Sequence, residues 1–172
     1  MISFLAKIIV ALNSNSRPAE MASAIAFGFW LALIPAGNLL WISLFIIAFF
    51  LKHNMGSFLF SLVIFRLITP LLDPFLDLLG GLILQIQFLQ GFFTSLYNLP
   101  LLPYFQFNNT IVMGSFVLGL LLWVPLFMLF LNLVKLYRKT LAPKITESKL
   151  IKSLKNVPLF SKILKAARGL EI

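Results

Sequence analysis

The sequence predicts an all-α integral membrane protein, and three observations carry that prediction. Hydrophobic residues fill 60% of the 172 positions against 11% charged, with a mean hydropathy of +1.01, more apolar surface than a water-soluble core of this size takes in. The run from Met21 to Leu51 holds no charged residue, longer than the about 20 apolar residues that a transmembrane helix needs. The basicity is also local: ten of the fourteen Lys and Arg residues lie from Lys135 onward, so the formal charge of +9 belongs to the tail. The expected architecture is a re-entrant or kinked helical hairpin plus two transmembrane helices, with amphipathic helices at both termini. Residues 1–134 form the membrane-embedded domain and residues 135–172 a basic amphipathic cytoplasmic tail. With no cysteine, disulfides, thiolate nucleophiles and Cys-based metal sites are excluded.

Taken in order, Met1 to Leu12 places Phe4, Leu5, Ile8, Ile9 and Leu12 at helical spacing around Lys7, as in a short helix lying on the bilayer. Lys7 interrupts the apolar region that a cleaved signal peptide would need. Pro18 marks a helix start, with Ser16 as its cap and Glu20 in the first turn, where the helix dipole favours an acid. As one helix, Met21 to Leu51 would measure about 46 Å, too long for a hydrocarbon core of about 30 Å. The break falls at Ile34-Pro-Ala-Gly-Asn38: Pro35 removes a backbone donor, Gly37 permits a left-handed turn, and Asn38 bonds the freed groups or caps the next helix. Either the run is a kinked, tilted span, or it is a hairpin of two half-helices whose tip must be covered by protein or line a polar cavity.

Lys7 and Arg17 precede this run, Lys52 and His53 follow it, and the basic tail holds the C-terminus in the cytoplasm, so the positive-inside rule favours the hairpin. Met55 to about Leu79 then crosses outward and Asn109 to Val134 crosses back. The stretch Arg66-Leu-Ile-Thr-Pro-Leu-Leu-Asp-Pro-Phe-Leu-Asp77 sets one cation, two carboxylates and two prolines in this apolar surrounding. A charge there costs roughly 3 kcal/mol on insertion scales, which makes Arg66 with Asp73 and Asp77 a functional-site candidate. The plainer account has the two Asp residues in the outer headgroups and Arg66 snorkelling. The sharper one turns Arg66 inward, paired with an Asp or with the tip at Asn38. The candidate polar membrane site is therefore Pro35, Gly37, Asn38, Asn54, Arg66, Thr69, Pro70, Asp73 and Asp77.

Gly80 to Phe107 mixes apolar residues with Gln85, Gln87, Gln90, Asn98 and Gln106 and is broken by glycines and prolines. It reads as an outer interfacial helix and aromatic loop, with a third span as the alternative. In the following helix Gly114 and Gly119 offer small residues for close packing and Pro125 a kink. A faint echo between Gly28-x6-Pro35 and Gly119-x5-Pro125 is too short to establish a repeat. Beyond Val134, Lys135, Arg138, Lys139, Lys149, Lys152, Lys155, Lys162, Lys165 and Arg168 alternate with apolar positions as in helices that bind anionic lipid. No aromatic stacking platform accompanies them, which argues against nucleic acid. The single His53 and five carboxylates match no catalytic or metal motif, so no enzyme, cofactor or metal is expected.

The order of features, Pro35-Ala-Gly37 in an apolar run, Lys52-His-Asn54 closing the next, and Thr69-Pro70 before a further apolar helix, resembles the bacterial membrane-protein family catalogued as domain of unknown function 2062. The likeness covers roughly residues 17–81, with Thr before Pro70 where the family pattern has Asn, and His53 inserted between Lys52 and Asn54. Members of the short branch with a basic tail are encoded beside a larger uncharacterised envelope protein. The resemblance therefore implies a membrane subunit with a dedicated partner, and with no catalytic motif in the chain the expected function is a non-catalytic inner-membrane subunit that docks a larger envelope protein and handles lipid or another amphiphile around the Pro35 to Asn38 break and Arg66. A small transporter or channel with a polar path at the Pro35 to Asn38 break and Arg66, Asp73 and Asp77 is the alternative, and a homo-oligomer is compatible with both.

Overall fold

A computed structural model describes residues 17–147, with side chains through Thr140; the amphipathic helices expected at the termini, and Lys149, Lys152, Lys155, Lys162, Lys165 and Arg168, lie outside the described residues. The described chain is helical: α1 (Pro18–Leu33), α2 (Leu39–Phe50), α3 (Met55–Leu84), α4 (Gln87–Tyr97), a 3-10 turn (Leu102–Phe105) and α5 (Thr110–Glu147). Helices α3 and α5 are long and apolar enough to cross a membrane.

Helix α1 is the centre of the bundle. Its apolar residues do not keep to one stripe, and Met21, Ala22, Ala24, Ala26, Phe27, Leu31, Ala32 and Leu33 are all buried, as expected for a helix enclosed on several sides. Arg17 caps it rather than Ser16: its backbone N–H donates to Glu20 Oε2 at 3.2 Å, so the cap falls on the residue directly before Pro18. The helix stops at Leu33, where Pro35 cannot supply the next donor. Gly37 turns the chain at φ +97°, and Asn38 restarts it by accepting from Trp41 N–H at 2.8 Å.

The two half-helices return to their starting level. Asn54 N–H donates to Glu20 O at 3.3 Å, and the His53 ring stacks on Phe58 with centroids 5.2 Å apart. The break is thus the tip of a closed hairpin, not a kink in one straight rod. Asn54 then caps α3 by accepting from Ser57 N–H at 2.8 Å.

From this common base α3 runs parallel to α1. The register is marked by Ser61 Oγ, which donates to Ala24 O at 3.4 Å, and by Thr69 Oγ1, which donates to Ala32 O at 3.0 Å. Helix α5 runs antiparallel to both: Ser115 lies against Leu33, Gly119 against Trp30, and Arg138 against Met21. Past the hairpin tip α3 and α5 meet directly, backbone to backbone, at Gly80 and Gly114.

Helix α3 passes Pro70 and Pro74 without a break and continues to Leu84, a turn and a half beyond the expected end near Leu79. Helix α4 has 11 residues, about 16 Å, too short to span a bilayer as an α-helix. It exposes Phe88 (91%) and Phe92, the amphipathic pattern of a helix lying in an interface. The loop after it folds back on α5, Phe107 meeting Phe116 edge to face. Helix α5 passes Val134 and Lys135 unbroken to Glu147.

Candidate functional site

The four carbonyls that end α1 face a problem set by the break: they have no following helical turn to bond to. In hydrocarbon each would be costly to leave unpaired. Four side chains from three parts of the chain, α3, α5 and the tip, converge on the carbonyls of Ala32, Leu33, Ile34 and Pro35. Arg66 Nη1 donates to Ala32 O at 3.0 Å and to Ile34 O at 3.1 Å. Thr69 Oγ1 shares Ala32 O, Ser115 Oγ donates to Leu33 O at 2.9 Å, and Asn38 Nδ2 donates to Pro35 O at 2.8 Å. A guanidinium at a helix C-terminus also meets the negative end of the helix dipole, worth about 0.3–2 kcal/mol depending on burial.

Arg66 is thus held by backbone oxygens, not by a counter-charge. Only Nη1 is engaged, and no ion pair joins Arg66 to Asp73 or Asp77 among the described residues. Asp77 instead accepts a hydrogen bond from Thr110 Oγ1, tying the C-terminal half of α3 to the first residue of α5. Asp73 is half-buried between these two and makes no hydrogen bond among the described residues. Arg66 is itself exposed, as is Pro70 on the same side of α3, and Ala36 and Gly37 are exposed at the tip. A Cβ at Gly37 would meet nothing within 4 Å.

Of the residues singled out in sequence, the structure therefore joins Asn38, Arg66 and Thr69 around the end of α1, with Pro35 and Gly37 forming the turn. Asn54 sits at the opposite end of the hairpin. Lys135 and Lys139 are exposed, whereas Arg138 is half-buried, with Nη2 on Met21 Sδ at 3.0 Å. Among the described residues no group of His, Asp and Glu is placed to hold a metal ion.

No catalogued family profile matches the chain, and no solved structure does. An uncharacterized protein of Treponema pallidum (strain Nichols) is 37% identical over 159 residues, covering 92% of this chain and 98% of its own length. The chain belongs to the family of that Treponema protein. The shared length takes in nearly the whole chain, so the hairpin, both long helices and most of the basic segment lie within what the two proteins have in common.

Two participants escape a reading by residue type. Ser115, fully buried, looks in sequence like one small polar residue in an apolar helix, where a serine ordinarily bonds back to its own helix. Ser61, also buried, bridges Phe58 O at 2.9 Å and Ala24 O. Their signal is positional: each lies in an otherwise lipid-like helix, and each sits beside or within a turn of a glycine contact. Gly114 precedes Ser115, and Gly28 on α1 packs on Ser61 itself.

Proposed function

We propose that the protein is a non-catalytic bacterial inner-membrane subunit that engages lipid at the hairpin tip and docks a larger envelope protein with its outer face. In this reading α3 and α5 cross the bilayer, α1 and α2 form a re-entrant pair entering from the cytoplasm, and the C-terminus is cytoplasmic. Support for the bilayer comes from where the apolar residues point: Leu67, Leu71 and Leu121 are 74%, 81% and 67% exposed, which a core helix of a soluble protein would not leave in water. Lys52, Lys135 and Lys139 gather at the base of the bundle, as the positive-inside rule asks of a cytoplasmic end.

The observation that carries the lipid reading is Arg66. A cation fixed at hydrocarbon depth by two carbonyls, with donors to spare and an open side, is suited to draw a phosphate-bearing headgroup below the surface. The outer face offers exposed Phe88, Leu101 and Tyr104 for the envelope partner that the resemblance to the domain of unknown function 2062 family implies. That resemblance belongs to the same proposal, and its motifs fall at joints of the hairpin: Lys52-His-Asn54 at the base, Thr69 at the tip.

The transporter or channel reading is less well supported. It draws on the broken helices near mid-depth, but α1 fills the space between α3 and α5 from base to tip with Met21, Ala24, Phe27 and Leu31, each at most 5% exposed. Purification in mild detergent followed by native mass spectrometry tests the proposal. The expected result is a phospholipid retained by the wild type and lost in Arg66→Gln, together with a stoichiometric larger protein; a protein carrying neither would overturn it.

A further inference from the structure

Resting on the lipid reading, the geometry points to its ligand: we infer that Arg66 and Asp73 form a two-pole seat for the headgroup of a zwitterionic, phosphoethanolamine-type phospholipid of the outer leaflet. The two residues are seven apart, two helical turns, which leaves them about 20° apart around α3 and so on one face. Their side chains are closer in height than their backbones. Arg66 Nη1 and Thr69 Oγ1 donate to the same oxygen, Ala32 O, so the guanidinium stands level with Thr69, and Asp73 begins about 6 Å, four residues, further out. That gap is too long for a direct ion pair, and among the described residues none forms. It suits a single ligand that carries a phosphate at one end and, two carbons further, an ammonium at the other.

The order of the charges fixes which leaflet supplies the ligand. Measured from Asn54 at the base, Thr69 lies about 22 Å along α3 and Asp73 about 28 Å, against a hydrocarbon thickness of about 30 Å. Cation deeper and carboxylate nearer the outer surface is the order in which an outer-leaflet lipid presents phosphate and then amine. An inner-leaflet lipid presents them reversed. Below the pair, exposed Val63 and Leu59, within about 60° of Arg66 around α3, continue toward the bilayer centre, where the acyl chains would lie. Arg66 keeps Nε and Nη2 for the phosphate, while Asp73, unlike Asp77 with its Thr110 bond, has its oxygens available for the amine.

The test uses the full-length protein in mixed micelles with equal amounts of phosphatidylethanolamine and phosphatidylglycerol of matched chains. High salt strips lipid held only by the basic tail, and retained lipid is counted by native mass spectrometry. The wild type should favour the ethanolamine lipid about tenfold, the scale of one charge-assisted hydrogen bond. Asp73→Asn should retain as much lipid but with a ratio near unity, and this variant also reports that the fold is intact. Arg66→Gln should retain several-fold less of both lipids, and Arg66→Lys should restore part of that loss. A wild type that holds the glycerol lipid equally well, or an Asp73→Asn that keeps the preference, overturns the two-pole seat while leaving lipid binding standing. Retention independent of Arg66 overturns the lipid reading as well. Displacement by soluble glycerophosphoethanolamine would show that the bilayer anchor is not part of recognition, against the proposal.

Discussion

The neighbouring glycines Gly80 and Gly81 on α3 separate a packing contact from a loosely surrounded position within one residue. An alanine Cβ at Gly80 would overlap the carbonyl oxygen of Thr110 and come within 2.7 Å of its carbonyl carbon and 2.8 Å of Gly114 N. All three are backbone atoms of α5, so no side-chain rotation relieves the clash, and the helices would have to part by on the order of 1 Å, forfeiting a quarter or more of the dispersion energy along the contact. Overpacking of this kind costs about 1–3 kcal/mol, with the upper part of the range expected where backbone must move. At Gly81 the nearest atoms to a new Cβ lie 3.9 Å away, on Gln85 and Thr110 side chains. Gly81→Ala therefore keeps only the gain in helix propensity, about 1 kcal/mol. Thermal unfolding in dodecyl maltoside, followed by circular dichroism, should place Gly80→Ala about 5–10 °C below Gly81→Ala for a chain of this size. Equal midpoints for the two variants would refute the direct α3–α5 packing.

Further outcomes follow from the base and the tip. Among the described residues neither buried ring nitrogen of His53 has a hydrogen-bond partner, and burial lowers its pKa below 6.5, so the folded joint holds the neutral ring while the unfolded chain takes up a proton. The stability it protects is complete above about pH 6.5 and falls as the pH drops below that value; His53→Phe should flatten this part of the stability profile between about pH 7.5 and pH 5. Asn38 is 2% exposed and serves both sides of the break. Asn38→Ala should cost about 1–3 kcal/mol through the lost cap and the stranded Pro35 carbonyl, read by chemical denaturation in detergent. Ser115→Ala, nearly isosteric, should cost about 1–3 kcal/mol by leaving Leu33 O unpaired in a dry site, whereas Ser95→Ala on exposed α4 should change nothing measurable.

Local chemistry was the legible part of this fold. Pro35 and Gly37 announce a break, Asn38 announces a helix start, and the charge-free length of Met21 to Leu51 demands an interruption, whether a kink or a hairpin. What sequence could not supply was the partner of Arg66. A search for counter-charges finds Asp73 and Asp77 on the same helix, but the guanidinium instead answers the unpaired carbonyls of a helix end more than thirty positions away. Which carbonyls lack partners depends on where α1 stops in space, and that is a tertiary fact. Ser115 was hidden for the same reason. The small residues of α5 also divide their work: Gly114 admits α3, whereas Gly119 lies under the Trp30 ring of α1, so they line no single face. Helix α3 runs beyond its expected end because Gly80-Gly81, which reads as a break, instead lets Gly80 meet the backbone of Thr110 and Gly114 on α5, and α5 runs beyond Val134 because Lys135 changes the charge without breaking the helix.

The central claim, that α1 and α2 enter and leave on the same side of the membrane, is tested most directly by single-cysteine labelling, which the absence of native cysteine makes clean. Arg17→Cys, Lys52→Cys and Asn98→Cys variants in intact cells and in inverted vesicles would be exposed to a membrane-impermeant maleimide. The account predicts that residues 17 and 52 react only from the cytoplasmic side and residue 98 only from outside. Reaction of residue 52 from the outside would mean that α1 and α2 together cross the bilayer, and the hairpin with its lipid seat would not stand.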